Sequence, residues 1–160
     1  MGSGKSTIGK QLSERMGMRL IDTDTYIEQK EGMKISDIFA EKGEEYFRSL
    51  ELQVCNELSQ LRATVISTGG GTLLKEENVK AIKKNGVVFL LNVSPEIVLH
   101  RLRNDTTRPL LQSDDKEKAV KTLLSQRIPL YNRAADHIIE ADESPRIICN
   151  QIMNICNSLY

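Results

Sequence analysis

The chain begins Met1-Gly2-Ser3-Gly4-Lys5-Ser6-Thr7, and no other segment restricts its fold as much. Gly4-Lys5-Ser6 completes the G-x-x-x-x-G-K-[ST] pattern, a turn entered from a strand and continued as a helix. Gly2 and Gly4 allow positive φ, so that several backbone N–H groups turn inward as an anion nest. The helix that follows aims its positive end at the same point. Lys5 is placed to reach the β- and γ-phosphates of a nucleoside triphosphate, and the Ser6 hydroxyl to ligate Mg²⁺. A flexible glycine-serine tail is the plain alternative. Against it, Ile8, Leu12 and Met16 fall on one face of the next helix, as core packing requires.

The sequence has 160 residues, which predicts one domain over 1–160. Lys plus Arg and Asp plus Glu are 22 each, and such a balance argues against a general nucleic-acid binder. Neither a membrane-spanning apolar run nor a signal peptide is readable. Cys55, Cys149 and Cys156 lack metal-ligand spacing and fit reduced thiols in a cytoplasmic protein. His100 and His137, each alone among apolar neighbours, are expected to be structural.

Strand and helix patterns alternate, predicting an α/β fold with a parallel sheet. Strands are expected at 19–22, 64–67, 87–93 and 137–140. The stretch Val87–Val93 is unbroken in its hydrophobicity and reads as buried on both faces. Helices are expected at 25–30, 35–42 and 44–61, the last with Phe47, Leu50, Val54, Leu58 and Leu61 as its apolar stripe. A further helix over 76–85 should close on Gly86 as its cap. Ser94 and Ser144 each precede a proline that opens a helix, and the last helix should turn Ile148, Ile152, Ile155 and Leu159 inward. The polar stretch Asn104 to Lys116 reads as a lid.

The acceptor side of the site is read from other positions. Asp22 and Asp24 follow a strand, where open α/β sheets place ligands. Asp22 is the candidate metal carboxylate, because Val65-Ile66-Ser67-Thr68 ends in hydroxyls. Asp24 is the candidate base for an attacking hydroxyl, and a turn with a helix N-cap is the plain alternative for the Asp22-Thr23-Asp24 segment. Gly69-Gly70-Gly71 leaves bare backbone against which a ligand can lie. Taken singly, Arg48, Arg108 and Arg127 fit solvated surface charges. Together they suit an anionic acceptor and a transferring phosphoryl group. These residues specify a small anionic polyol and no more.

The segments GSGKST (2–7), DTD (22–24), GEEYFRSLE (43–51), STGGG (67–71), RPLL (108–111) and RIPLY (127–131) carry a resemblance, in order and spacing, to the shikimate kinase family. The resemblance implies a three-layer P-loop NTPase-type domain: a central parallel sheet, normally of five strands with four readable here, between helices. It implies ATP-dependent phosphorylation of the 3-hydroxyl of shikimate, with Mg²⁺, in aromatic amino-acid biosynthesis. Gly2, Ser3, Gly4, Lys5, Ser6 and Thr7 would bind ATP. Asp24, Arg48, Gly69, Gly70, Gly71 and Arg127 would bind shikimate, the two arginines on its carboxylate. Lys5, Asp24 and Arg108 would be catalytic, Arg108 closing over ATP with the lid. Ser6 and Asp22 would serve the metal. Arg101 and the segment Asp142 to Pro145 would line the adenine pocket. A monomer without nucleic-acid or membrane partners is expected.

The departure is at the front, where the family's first strand and first loop glycine precede Met1. The reading is a start assigned at an internal methionine, and a chain lacking that strand should be marginally stable. Two rivals remain: a related small-molecule kinase of the gluconate-kinase type, and a non-catalytic module that kept the fold.

Overall fold

The computed structural model describes residues 3–102 and 116–159, excluding the side chains of Arg101, Leu102 and Lys116. Gly2, Arg108 and the predicted lid through residue 115 lie outside them. Four strands, β1 (Arg19–Asp22), β2 (Thr64–Ser67), β3 (Phe89–Asn92) and β4 (His137–Glu140), alternate with seven α-helices among the described residues. The helices are α1 (Lys5–Met16), α2 (Thr23–Glu31), α3 (Ile35–Leu58), α4 (Glu76–Lys83), α5 (Pro95–Leu102), α6 (Lys116–Ala134) and α7 (Pro145–Leu159).

The strands are parallel and lie between helical layers, as the α/β reading requires. They form two pairs rather than one continuous sheet, β1 with β2 and β3 with β4. Successive residues of β2 divide between the layers. Val65 packs toward α1 and α7, with Ile8, Leu12, Ile148 and Ile152. Ile66 packs toward α2 and α3, with Ile27, Phe47, Leu50 and Val54. Phe89 and Leu91 of β3 and Ile139 of β4 join the α1/α7 cluster, so one helical layer serves both strand pairs. Gly9 permits that contact, since a Cβ there would stand 3.2 Å from Leu20 Cδ1.

Several local expectations are corrected. Every residue of β3 is only half-buried, not buried on both faces. Val88 through Val93 all line one cavity. Consecutive residues of a strand point to opposite faces, so a run of six is exposed along its edge. Leu61 lies beyond the end of α3 and is exposed, as is Leu159. Gly86 does not have positive φ. Its lack of a Cβ serves a close approach instead, to the carbonyl of Ile82 at 2.9 Å. Gly43, at φ 81°, interrupts α3 where the sequence separates two helices. Cys149 and Cys156 pack in the α1/α7 cluster, and His137 stacks on Phe89. No helix among the described residues is long and apolar enough to cross a membrane.

Candidate active site

The amino end of α1 and the carboxyl ends of β1 and β2 form the site. Gly4 caps α1 at φ 83°, the left-handed conformation the loop needs. The α1 dipole therefore points its positive end out past Ser3, Gly4 and Lys5. Lys5 Nζ lies 3.4 Å from Ser3 Oγ. Ser6 and Thr7, in the first turn, are exposed to incoming ligand.

Strand β1 delivers two carboxylates with different employment. Asp22 Oδ1 accepts the N–H groups of Asp24 and Thr25 at 3.0 and 3.1 Å, capping α2. The cap alternative is thus realised by Asp22, and Asp24 is left to face the site. Burial holds the Asp24 carboxyl above its ordinary range, and the negative charges of Asp22 and Glu51 add to this. Lys5 opposes the shift, so the phosphate-loop lysine and the candidate base act on each other electrostatically. A raised pKa suits a general base working near neutrality.

The register of β1 and β2 sets Asp22 beside Ser67, and the chain leaves β2 into Gly69-Gly70-Gly71. A side chain on any of these would meet a different site residue. At Gly69 it would overlap the Asp24 carboxylate. At Gly70 it would stand 3.5 Å from Arg127 Nη1, and at Gly71 2.9 Å from Arg48 Nη1. Close approach, not positive φ, which none of the three has, therefore calls for glycine at Gly69 and Gly71, whereas a Cβ at Gly70 would make only ordinary contact with Arg127. The loop threads between one acid and two guanidiniums contributed by α2, α3 and α6. Sequence positions separated by about a hundred residues converge on it.

Arg48 is held on both sides by its own helix. Nη1 donates to Glu51 Oε2 at 2.6 Å, and Nη2 donates to Glu44 Oε1 at 3.0 Å. Burial opposes its charge, but these carboxylates outweigh that and keep the guanidinium ionised. From α6, the Tyr131 hydroxyl donates to the Gly70 carbonyl at 2.5 Å. The Gly69 N–H donates to Thr23 Oγ1 at 2.8 Å. Tyr131, Thr23, Thr72 and buried Glu51 escaped the sequence reading of the site. The signals were present in part: Tyr131 lies one turn after Arg127, and Glu51 three residues after Arg48.

A cavity of about 110 Å³ opens beside the loop, lined by Ser3, Lys5, Gly69, Gly70 and Tyr131 together with β3. Asp24, Arg48 and Arg127 do not line it. It follows the open edge of β3 and adjoins the acceptor-side cluster through Gly69, Gly70 and Tyr131. Of the expected adenine-pocket residues, Asp142 accepts the Ser94 N–H at 3.0 Å, joining the segments after β3 and β4. Arg101 falls on α5, with its side chain outside the described residues.

A divalent cation fits this donor set only in company. No group of three or more His, Cys, Asp and Glu that would cage a metal occurs among the described residues. A hard cation satisfied by one hydroxyl, one carboxylate, water and phosphate oxygens matches Ser6 and Asp22. Cys55 is fully buried, and burial pushes its thiol up to about 12, so no thiolate chemistry belongs to the site.

The shikimate kinase family sequence profile matches residues 1–157. The shikimate kinase of Microcystis aeruginosa is 47% identical over 154 residues, covering 96% of this chain and 80% of that one. The solved structure of shikimate kinase from Acinetobacter baumannii in complex with shikimate superposes with a TM-score of 0.89. The two are 38% identical over 99% of this chain and 89% of that one. A gluconokinase from Sinorhizobium meliloti has a TM-score of 0.55 at 14% identity over 100% of this chain and 91% of that one, a likeness of fold alone. The family profile covers nearly the whole chain, relatives match it at up to 47% identity over 96% of its length, and the chain belongs to the shikimate kinase family.

Proposed function

We propose that this protein phosphorylates the 3-hydroxyl of shikimate with ATP, giving shikimate 3-phosphate and ADP, and that the residues above divide the work as follows. Arg48 and Arg127 hold the acceptor carboxylate from opposite sides of Gly70 and Gly71. Asp24 and the Gly70 backbone hold ring hydroxyls. Asp24 takes the proton as the hydroxyl oxygen bonds to the γ-phosphorus, while the bond from that phosphorus to the β–γ bridging oxygen breaks and ADP leaves. Lys5 and the N–H groups of the loop at residues 2–7 stabilise charge on the phosphates. Mg²⁺, when bound with ATP, neutralises phosphate charge, and Ser6 and Asp22 are the residues that would hold it. Arg108 is assigned the transition-state charge from the lid, and Arg101 and Asp142 to Pro145 the adenine.

The observation that carries the acceptor side is the Gly69–Gly71 turn, whose three missing side chains correspond one for one to Asp24, Arg127 and Arg48. Such packing leaves an acid and two guanidiniums around bare backbone, a cradle for a hydroxylated carboxylate. The monomer is the protein's proposed working unit. The cytoplasm is its proposed compartment, in keeping with free cysteines. The test is ADP release in a coupled assay, with shikimate, gluconate and no acceptor in parallel arms. Turnover with shikimate alone is expected. Turnover with gluconate instead moves the protein to the related kinase class, and binding of shikimate without turnover makes it a non-catalytic module.

A further inference from the structure

Glu51 is an acid in an apolar place. It is 2% exposed within the stripe that carries Phe47, Leu50, Val54 and Leu58. A buried carboxylate is costly unless each oxygen has a partner. Here the two oxygens are divided: Oε2 receives Arg48 Nη1 at 2.6 Å, and Oε1 receives Thr72 Oγ1 at 2.8 Å. Thr72 is itself buried and opens the short 3₁₀ turn (Thr72–Leu74) directly after Gly71. Its N–H closes the glycine turn onto the Gly69 carbonyl at 3.2 Å. Its own carbonyl accepts the side-chain amide of buried Asn78, on α4, at 2.8 Å. A continuous run of hydrogen bonds thus passes from α4 through Thr72 and Glu51 to Arg48. No buried side-chain nitrogen or oxygen among the described residues lacks a partner.

We propose that Thr72 and Asn78 are positioning residues for the acceptor, fixing through Glu51 the direction of the Arg48 guanidinium and its spacing from Gly71. The geometry favours this over simple packing. Apolar residues of similar volume would fill these positions without the cost of burying a charge, whereas a fully satisfied polar network confers one defined arrangement. The arrangement defined here is at the glycine turn and at Arg48. The hydrogen bonds of Thr72 and Asn78 run to Glu51, to the Gly69 carbonyl and to each other, all on the acceptor side. The proposal rests on the reading of Arg48 as a carboxylate-binding residue.

The experiment is a mutant cycle on the full chain, with KM for shikimate and for ATP measured separately. Thr72→Val removes the hydroxyl at nearly constant shape and leaves Glu51 Oε1 unpaired. It should raise the shikimate KM about tenfold or more, the scale of one hydrogen bond to a charged group, and leave the ATP KM unchanged. Thr72→Ser, which keeps the donor, should restore most of the affinity. Asn78→Leu should act in the same direction and more weakly, being one bond further away. In an Arg48→Lys background the Thr72→Val penalty should largely disappear, because groups acting through one another are not additive. An equal rise in both KM values, a Thr72→Ser variant as impaired as Thr72→Val, or a full penalty in the Arg48→Lys background would each overturn the proposal. Arg48→Lys with unchanged shikimate KM would instead defeat the reading of Arg48 itself.

Discussion

Two glycines make a quantitative pair. At Gly71 an added Cβ would lie 2.9 Å from Arg48 Nη1, and at Gly86 one would lie 2.9 Å from the Ile82 carbonyl oxygen. The approach is the same, but the obstacle differs. Nη1 is the end of a long side chain and can yield; the Ile82 carbonyl belongs to helix α4 and cannot move alone. Restoring ordinary contact, 3.4 Å or more, requires Nη1 to retreat about half an ångström. That retreat strains its bond to Glu51 and turns the guanidinium away from the acceptor. A misplacement of about 1 Å costs about 10²-fold in rate, so half that distance predicts roughly tenfold in kcat/KM for shikimate, or about 1.4 kcal/mol. Gly71→Ala should show this loss in the coupled ADP assay, with KM for ATP and Tm little changed. Gly86→Ala should show the reverse. Overpacking of about 1–3 kcal/mol, offset by about 0.4–1 kcal/mol from a stiffer unfolded chain, lowers Tm by several degrees and leaves the kinetics intact. Unaltered shikimate kinetics in Gly71→Ala would refute the argument that this glycine exists to admit Arg48.

Other expectations concern charge. The folded-state pKa of Asp24 is raised, so its protonated form is the stabilised one: its contribution is complete below the ordinary value of 3.8 and is lost as pH rises through the raised value. Asp24→Asn, which cannot ionise, should therefore melt higher than the parent at neutral pH. The gap should close as pH falls toward 3.8, while kcat collapses throughout; near-full kcat would leave Asp24 a positioning role only. The parent's kcat should lose activity on the acid side at a pH above the usual carboxylate range. Arg127→Ala should raise the shikimate KM by roughly 2–5 kcal/mol, the cost of leaving a buried carboxylate without its partner; unchanged KM in steady-state kinetics would remove Arg127 from the site. Chelation of Mg²⁺ should abolish ADP release while leaving the heat of shikimate binding, measured calorimetrically without nucleotide, nearly intact. A lost binding heat would place the metal on the acceptor side.

Local chemistry was readable wherever its cause lies within a few residues. Gly4-Lys5-Ser6 announces a loop and a helix because only glycine accepts the left-handed cap, which the structure shows at φ 83°. A strand at 64–67 was legible and sends Val65 and Ile66 to opposite faces, but which helices cover each face came from the packing. Gly43 marked the break in α3 for the same reason of backbone freedom. The aspartates, the arginines and the glycine triplet could be nominated as a site because their residue types suit one chemistry. Their meeting could not be read from spacing, since it depends on α2, α3 and α6 packing around the end of β2. Only that packing separates Asp22, whose Oδ1 caps α2, from Asp24, left facing the glycines. Glu51 falls on the apolar stripe of α3 by spacing alone, but only that packing supplies the Arg48 and Thr72 partners that let a carboxylate be buried there. The half-buried state of β3 also needed the tertiary structure: hydrophobicity states what a strand can bury, while the neighbours along its edges decide what it does bury.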